Sequence, residues 1–199
     1  MKKDFIKAVM AGIMIGVGAV IYLSLENKVI GALLFSVGLL SICCLGLNLF
    51  TGKIGYVVEN KQFGTVGIIW CGNLVGTFLA GTLIKFTRVF EKIYPSLKSA
   101  MAPRLSDNYL SLFVLAIFCG LLMYTAVEIY KTSKSVYGMG AILLCVSVFI
   151  LSGYEHSIAN MAYFTLYGWS LDLFIKLIVI TIGNSIGGMF IPLCKKIME

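Results

Sequence analysis

His156 is the only histidine in a chain of 199 residues, and it falls within Tyr154-Glu155-His156-Ser157, a polar interruption of a long apolar run. An ionisable side chain inside a membrane-embedded stretch is costly to keep and is a functional candidate by default. A neutral imidazole can donate one hydrogen bond to an anion and, by exchanging its proton, act as a relay. The competing reading is a structural histidine that caps a broken helix. Glu155 is adjacent, but helix neighbours do not face each other, so its carboxylate is expected to accept backbone or interfacial donors rather than do acid–base work with His156. Thr51-Gly52-Lys53 interrupts an earlier apolar run in the same way. The Thr51 hydroxyl can donate to an anion or to a freed carbonyl. Asn73 and Asn184 can each donate and accept, which suits either the backbone groups exposed by a helix break or a substrate. Phe35, Leu39, Leu49 and Phe149 flank the interruptions and, on periodicity alone, read as ordinary span residues.

Other chemistries lack their residues. The six cysteines (Cys43, Cys44, Cys71, Cys119, Cys145 and Cys194) lie in or beside apolar segments without CxxC spacing. They read as small buried hydrophobes rather than metal ligands, so no metal site is expected. No dinucleotide fingerprint, phosphate loop or HExxH motif stands where it would be needed, and no cofactor is expected. The formal charge of +7 does not gather into a basic stripe with interleaved aromatics, which argues against a nucleic-acid partner.

The elements that must position these residues are membrane spans. Hydrophobic residues make up 59% of the chain and charged residues only 13%, against roughly 25% charged in a soluble domain. Mean hydropathy is +0.96. Six apolar segments emerge, at about 5–25, 29–58, 63–86, 109–130, 136–167 and 171–193. The first follows Met1-Lys2-Lys3 without a convincing small-residue cleavage site and reads as a retained span rather than a signal peptide. The second and fifth are too long and are interrupted by polar residues. Non-helical backbone at membrane depth must be buried in protein or line a cavity, and paired broken spans mark a site at the midplane of repeat-built transporters.

The halves echo each other. Gly72-Asn73-Leu74-Val75-Gly76 in the third segment returns as Gly183-Asn184-Ser185-Ile186-Gly187 in the sixth. The expected architecture is an all-α membrane protein, a six-helix bundle built from a 3+3 inverted repeat with helices two and five broken. It forms one transport domain, 1–199, with repeats at about 5–86 and 107–193. Basic residues divide almost evenly between the two sides, so the positive-inside rule gives little lead on orientation. Lys134 is counted with the N-terminal side and Lys53 stands apart in the first interruption. The basic linker from Lys85 to Arg104 reads either as a snorkelling interfacial helix or as a positive collar that concentrates anions at a pore mouth.

Four stretches, Phe50-Thr51-Gly52-Lys53, Gly72-Asn73-Leu74-Val75-Gly76, Glu155-His156-Ser157-Ile158-Ala159-Asn160-Met161 and Gly183-Asn184-Ser185-Ile186-Gly187-Gly188, resemble the signatures of the formate/nitrite transporter family. They occur in the family's order and span nearly the whole chain. The resemblance implies an aquaporin-like protomer in a homopentamer, set in the cytoplasmic membrane with both termini inside and a pore in each protomer. The implied substrates are small weak-acid anions: formate, nitrite, hydrosulfide, lactate or acetate. By the same likeness His156 is the central pore histidine and Thr51 the threonine opposite it. Asn184 supports the histidine side. Phe35, Leu39 and Leu49 match one apolar constriction, and Phe149 contributes to the other. Arg104, with Lys98 as a rival, matches a vestibule lysine. Lys53 stands where Thr-Gly-Asn is the commoner reading. The family's fourth helix usually carries an asparagine where this chain has Gly120, which leaves hydrogen bonding on the threonine side to water or Asn73.

The expected mechanism follows from solvation. An anion is drawn into a positive vestibule but cannot cheaply cross an apolar constriction as an ion. Falling polarity near His156 raises the substrate's pKa, and a proton from the imidazole or from water yields a neutral acid that passes. The partners are therefore weak-acid anions, protons and the lipid bilayer. Two other readings stay open: aquaporin-like passage of small neutral solutes, whose flux would ignore pH, and an integral membrane enzyme.

Overall fold

The computed structural model describes residues 1–133 and 135–198, so Lys134 lies outside the described residues. The structure is all-helical there. Helix α1 spans Lys2–Ser24, α2 Lys28–Phe35, α3 Val37–Cys44 and α4 Phe50–Lys53, continued by a 3-10 turn at Ile54–Tyr56 and α5 at Val57–Asn60. Then come α6 Phe63–Lys85, α7 Arg88–Ser106, α8 Tyr109–Ser133, α9 Val136–Leu151, α10 Ser157–Tyr167 and α11 Leu171–Met198. Four of these, α1, α6, α8 and α11, are long and apolar enough to cross a membrane in one piece. The pieces Lys28–Cys44 and Val136–Leu151 are shorter and apolar, and each leads into a break.

The two breaks are built alike. After α3 the N–H of Leu47 bonds the carbonyl of Ile42 at 2.9 Å and that of Gly46 reaches Cys43. After α9 the N–H of Tyr154 bonds Phe149 at 2.9 Å and that of Gly153 reaches Ile150. These crossed bonds are Schellman ends, which satisfy the last carbonyls of a helix and need a left-handed residue just beyond it. Gly46 (φ 62°) and Gly153 (φ 71°) supply it, glycine being the residue that adopts positive φ without strain. The second break lies where the polar residues place it. The first lies earlier than expected: the chain leaves helical geometry over 45–49, and Thr51 stands inside α4 rather than in the break. Leu45-Gly46-Leu47-Asn48-Leu49 is almost wholly apolar, so hydropathy hides it.

Close helix packing repeats with the same partners. At Gly72 an added Cβ would meet the Phe5 carbonyl and the Ala8 methyl, and at Gly183 the Phe113 carbonyl and the Ala116 methyl. Gly76 lies against Val9 and Ile13 as Gly187 lies against Ile117 and Leu121. α6 therefore seats on α1 as α11 seats on α8, through the small residues that let membrane helices approach closely. The linker forms a surface helix, α7, with Ile93, Leu97 and Met101 fully buried against the bundle while Arg88, Lys92 and Lys98 stay exposed. Its C-terminal end is tied down by the buried Lys176 of α11, whose Nζ donates to the Leu105 carbonyl at 2.8 Å and pairs with Asp172 at 3.0 Å.

Candidate pore site

His156 is the residue immediately before α10, and its ring Nδ1 accepts the N–H of Ala159 at 3.0 Å. That bond satisfies one of the donors a helix N-terminus leaves open. A ring nitrogen that accepts carries no proton, so in the neutral ring the hydrogen stands on Nε2. Nε2 lies 2.9 Å from Thr51 Oγ1. The ring therefore donates to the threonine oxygen, and the threonine's own O–H is left to donate elsewhere. The structural reading and the chemical one meet in one side chain: one nitrogen caps the helix and the other addresses Thr51. Both residues are almost wholly buried, at 2% and 0% exposure.

Two asparagines hold the chain ends at this point. Asn73 Oδ1 accepts the N–H of Phe50 at 2.9 Å, and its Nδ2 donates to the carbonyls of Ala8 and Asn48. Asn184 Oδ1 accepts the N–H of Ser157 at 2.8 Å, and its Nδ2 donates to the carbonyls of Ala116 and Glu155. Each thus stitches the first turn after a break to the strand of backbone before it and to a neighbouring long helix. In this correspondence Leu49 is the counterpart of His156, both standing at the cap position, whereas Thr51 enters from two residues further along. Asn73 serves the threonine side directly. Gly120 cannot hold a longer side chain, because a Cβ there would overlap the Asn184 carbonyl, as one at Gly12 would overlap that of Asn73.

Apolar side chains close around the pair. The Phe149 ring stacks on His156 with centroids 5.4 Å apart, and Phe35 meets Phe149 edge-on at 6.1 Å. Phe35, expected beside Leu39 and Leu49, therefore packs with Phe149, which the resemblance assigns to the other constriction. Leu39 and Leu49, both buried, line a cavity of about 510 Å³. Asp4, Lys53, Tyr56, Glu59 and Lys131 also line it. α1 and α6 begin beside this cavity and α8 ends there.

The sequence left Arg104 and Lys98 as rivals. Lys98 is exposed on α7 with its Nζ over the Tyr94 ring at 4.9 Å. Arg104 turns inward: its Nε lies 3.1 Å from Glu155 Oε2 and 2.5 Å from Asn160 Oδ1, and Nη1 donates to the Ala100 carbonyl. Its guanidinium also faces the Tyr163 ring at 5.2 Å. Asn160 Nδ2 completes the group with a 2.7 Å bond to Glu155. Asn160 was missed as a site residue; the signal for it was a lone amide one turn after His156 in an otherwise apolar helix. Among the described residues no group of three or more His, Cys, Asp or Glu side chains is placed to hold a metal ion.

Comparison with known proteins bears on the whole chain and its fold. The chain is 26% identical to the nitrite transporter NirC of Salmonella typhimurium, over 93% of this chain and 78% of the relative. It is 26% identical to the formate channel FocA of Escherichia coli K12, over 94% and 82%. A solved FNT family ion channel superposes with a TM-score of 0.87 at 24% identity, covering 99% of this chain and 90% of the other. A pentameric formate channel solved with formate bound gives 0.83 at 23%, covering 99% and 96%. The family model for formate/nitrite transporters matches residues 1–196, and the chain, with its spans broken around a buried histidine and threonine, belongs to that family.

Proposed function

We propose that this protein is a multi-pass channel that passes small monovalent weak-acid anions, formate, nitrite or hydrosulfide, as the neutral acid formed near His156. The observation that carries this reading is the Thr51–His156 pair, 2.9 Å apart and buried where the two broken segments meet. Thr51 offers a hydroxyl donor and His156 an exchangeable proton, while Phe149, Phe35, Leu39 and Leu49 surround the passage with groups that cannot solvate an ion. A carboxylate or nitrite approaching them loses water it cannot replace, and taking up a proton removes most of that penalty. The event is transport, with no bond made in the substrate other than to the proton.

The nitrite transporter and formate channel among the relatives support the substrate class, and the pentameric formate channel supports a homopentamer with one pore per protomer. We read the halves as inverted copies within a single domain. The matched asparagines and breaks support this, as does the fact that α1 begins beside the cavity where its counterpart α8 ends. The setting is the cytoplasmic membrane with both termini inside.

The test is flux through the full chain in liposomes carrying an internal pH dye, over formate, nitrite and hydrosulfide. Anion-driven proton entry that quickens as external pH falls is the expected result. Flux of neutral solutes alone, indifferent to pH, would replace this reading with an aquaporin-like one. A chemically altered substrate would replace it with an enzyme.

A further inference from the structure

The two half-helices that meet at the buried pair are not equally well held. His156 leads into α10, eleven residues of regular helix, of which Ser157 to Leu166 are all buried. Thr51 stands in α4, four residues long and closed by a bond from the Ile54 N–H to the Phe50 carbonyl. One turn of helix does not sustain itself, and the 3-10 turn that follows has poorer hydrogen-bond geometry. Asn73 holds its first residue, Phe50. Something must hold its other end.

That end carries Tyr56. Its hydroxyl donates to Glu128 Oε2 of α8 at 2.7 Å, and the other carboxylate oxygen lies 3.6 Å from Lys195 Nζ of α11. A hydrogen bond to a carboxylate is short and about twice as strong as a neutral one. The ring is fixed as well: Tyr124 tilts against it with centroids 5.7 Å apart, and the Lys131 ammonium lies over it at 4.2 Å. Between Thr51 and Tyr56 the backbone is wedged. An added Cβ at Gly52 would meet Val127, and one at Gly55 the Tyr124 ring and the Gly188 carbonyl. Tyr56 stands seven residues after Leu49 as Tyr163 stands seven after His156, and each ring has a cation over it. Tyr163 is buried within α10, whereas Tyr56 is half-buried and ties its turn to α8 through the hydroxyl.

We propose that Tyr56 and Glu128 are positioning residues for Thr51: their bond fixes the α4 segment against α8 and so sets how the Thr51 hydroxyl meets His156 and a passing substrate. The proposal rests on the channel reading above. Both side chains act through the continuous backbone from Thr51 to Tyr56. The carboxylate matters as an acceptor, so an amide oxygen in its place serves and an apolar side chain does not. With the bond gone the segment gains freedom, and Thr51 spends less time within reach of the ring Nε2.

The test measures acid-stimulated flux of formate and nitrite through the full chain in liposomes, per assembled protein, with the melting temperature of each variant alongside. Tyr56→Phe and Glu128→Leu should each lower the flux about fivefold, the size of one net hydrogen bond. Glu128→Gln should restore it. The separating measurement is the cycle with Thr51→Val. A residue that acts by placing the Thr51 hydroxyl has nothing to place in that background, so Tyr56→Phe should cost less than about twofold more there. Losses that multiply, or Tyr56→Phe conducting like the wild type, overturn this role and leave the channel reading standing. If Tyr56→Phe does not assemble, the Glu128 variants read the same bond, and equal flux in Glu128→Gln and Glu128→Leu overturns the role as well. Wild-type protein that passes neither anion overturns the channel reading, and this role with it.

Discussion

Asn73 and Asn184 do the same work at two different breaks: each accepts one backbone N–H just after the break and donates to one carbonyl before it and one on a neighbouring long helix. Lipid offers no partner to such groups, so a broken span survives only where protein supplies one. The side-chain amide is suited to this, since it carries an acceptor and two donors in one plane. With the backbone fixed on both sides, the two half-helices face each other with little freedom, and Thr51 and His156 are brought to 2.9 Å.

Asn73→Ala and Asn184→Ala should therefore act mainly on stability. Asn73→Ala leaves the Phe50 N–H and the Asn48 carbonyl buried without partners, and each such group costs about 1–3 kcal/mol. The expected outcome is a clear fall in the melting temperature of the solubilised assembly for either variant, measured with and without anion. A melting temperature unchanged in both would mean that the breaks are held by something else.

His156 caps α10 with Nδ1 and addresses Thr51 with Nε2, and the two roles can be separated by substitution. Asparagine is among the best residues at a helix cap but cannot relay a proton. His156→Asn should keep the assembly and its melting temperature near the wild type while reducing acid-stimulated formate flux about tenfold or more, the loss expected for one missing positioned hydrogen bond and its proton. His156→Phe should lose flux as well and should also melt lower, by the about 1 kcal/mol typical of a lost cap. Undiminished formate flux in both variants would remove His156 from the transport step.

Thr51 offers a sharper comparison because valine has nearly its shape. Thr51→Val leaves the Nε2 hydrogen of a buried ring unpaired and removes the hydroxyl donor, whereas Thr51→Ser retains both. Flux should fall by about tenfold in Val, consistent with the loss of about 1.4 kcal/mol of hydrogen bonding, and recover in Ser. Equal flux in all three would show that the hydroxyl does not meet the substrate.

The second break was readable because Glu155 and His156 are visible in a run of apolar residues. The first was not, since Leu45, Leu47 and Leu49 continue the hydropathy of α3 although the chain leaves helical geometry over 45–49, with Gly46 at φ 62°. Polarity at Thr51-Gly52-Lys53 pointed to the segment that meets His156 but to the wrong backbone state. The Gly-Asn-x-x-Gly echo carried real packing information: its glycines seat α6 on α1 and α11 on α8, and its asparagines hold the breaks. What one-dimensional reading could not supply was pairing at a distance. Nothing local to Arg104 distinguishes it from Lys98. Only the fold of α7 onto α10 sends one inward to Glu155 and leaves the other at the surface.

The Arg104–Glu155 pair gives a prediction of its own. Both side chains are largely withdrawn from solvent, and removing one member of a buried pair leaves an uncompensated charge, typically at a cost of about 3–5 kcal/mol. Arg104→Gln and Glu155→Gln should each lower the melting temperature strongly. The double variant, which removes both charges and keeps amides able to bond Asn160, should recover much of the loss. Additive losses in the double variant, measured as a double-mutant cycle, would show that the two charges act independently.

Gly120 gives the most direct test of the geometry, because the sequence resemblance leads to an asparagine being expected at this place. Here a Cβ at Gly120 overlaps the backbone of Asn184, the residue that holds the N–H of Ser157 next to His156. Even Gly120→Ala must push α8 away from α11 or displace Asn184, and overpacking of this kind costs about 1–3 kcal/mol. Gly120→Asn should be worse, since the amide adds volume at a place where Asn73 and Asn184 already serve the broken backbone. The expected outcome is a fall in melting temperature for Ala and poor recovery of the assembled protein for Asn. The matched exchange Gly12→Ala, set against Asn73 in the same way, should give a loss of similar size to Gly120→Ala. A stable, conducting Gly120→Asn would mean that α8 and α11 pack less closely than this fold requires.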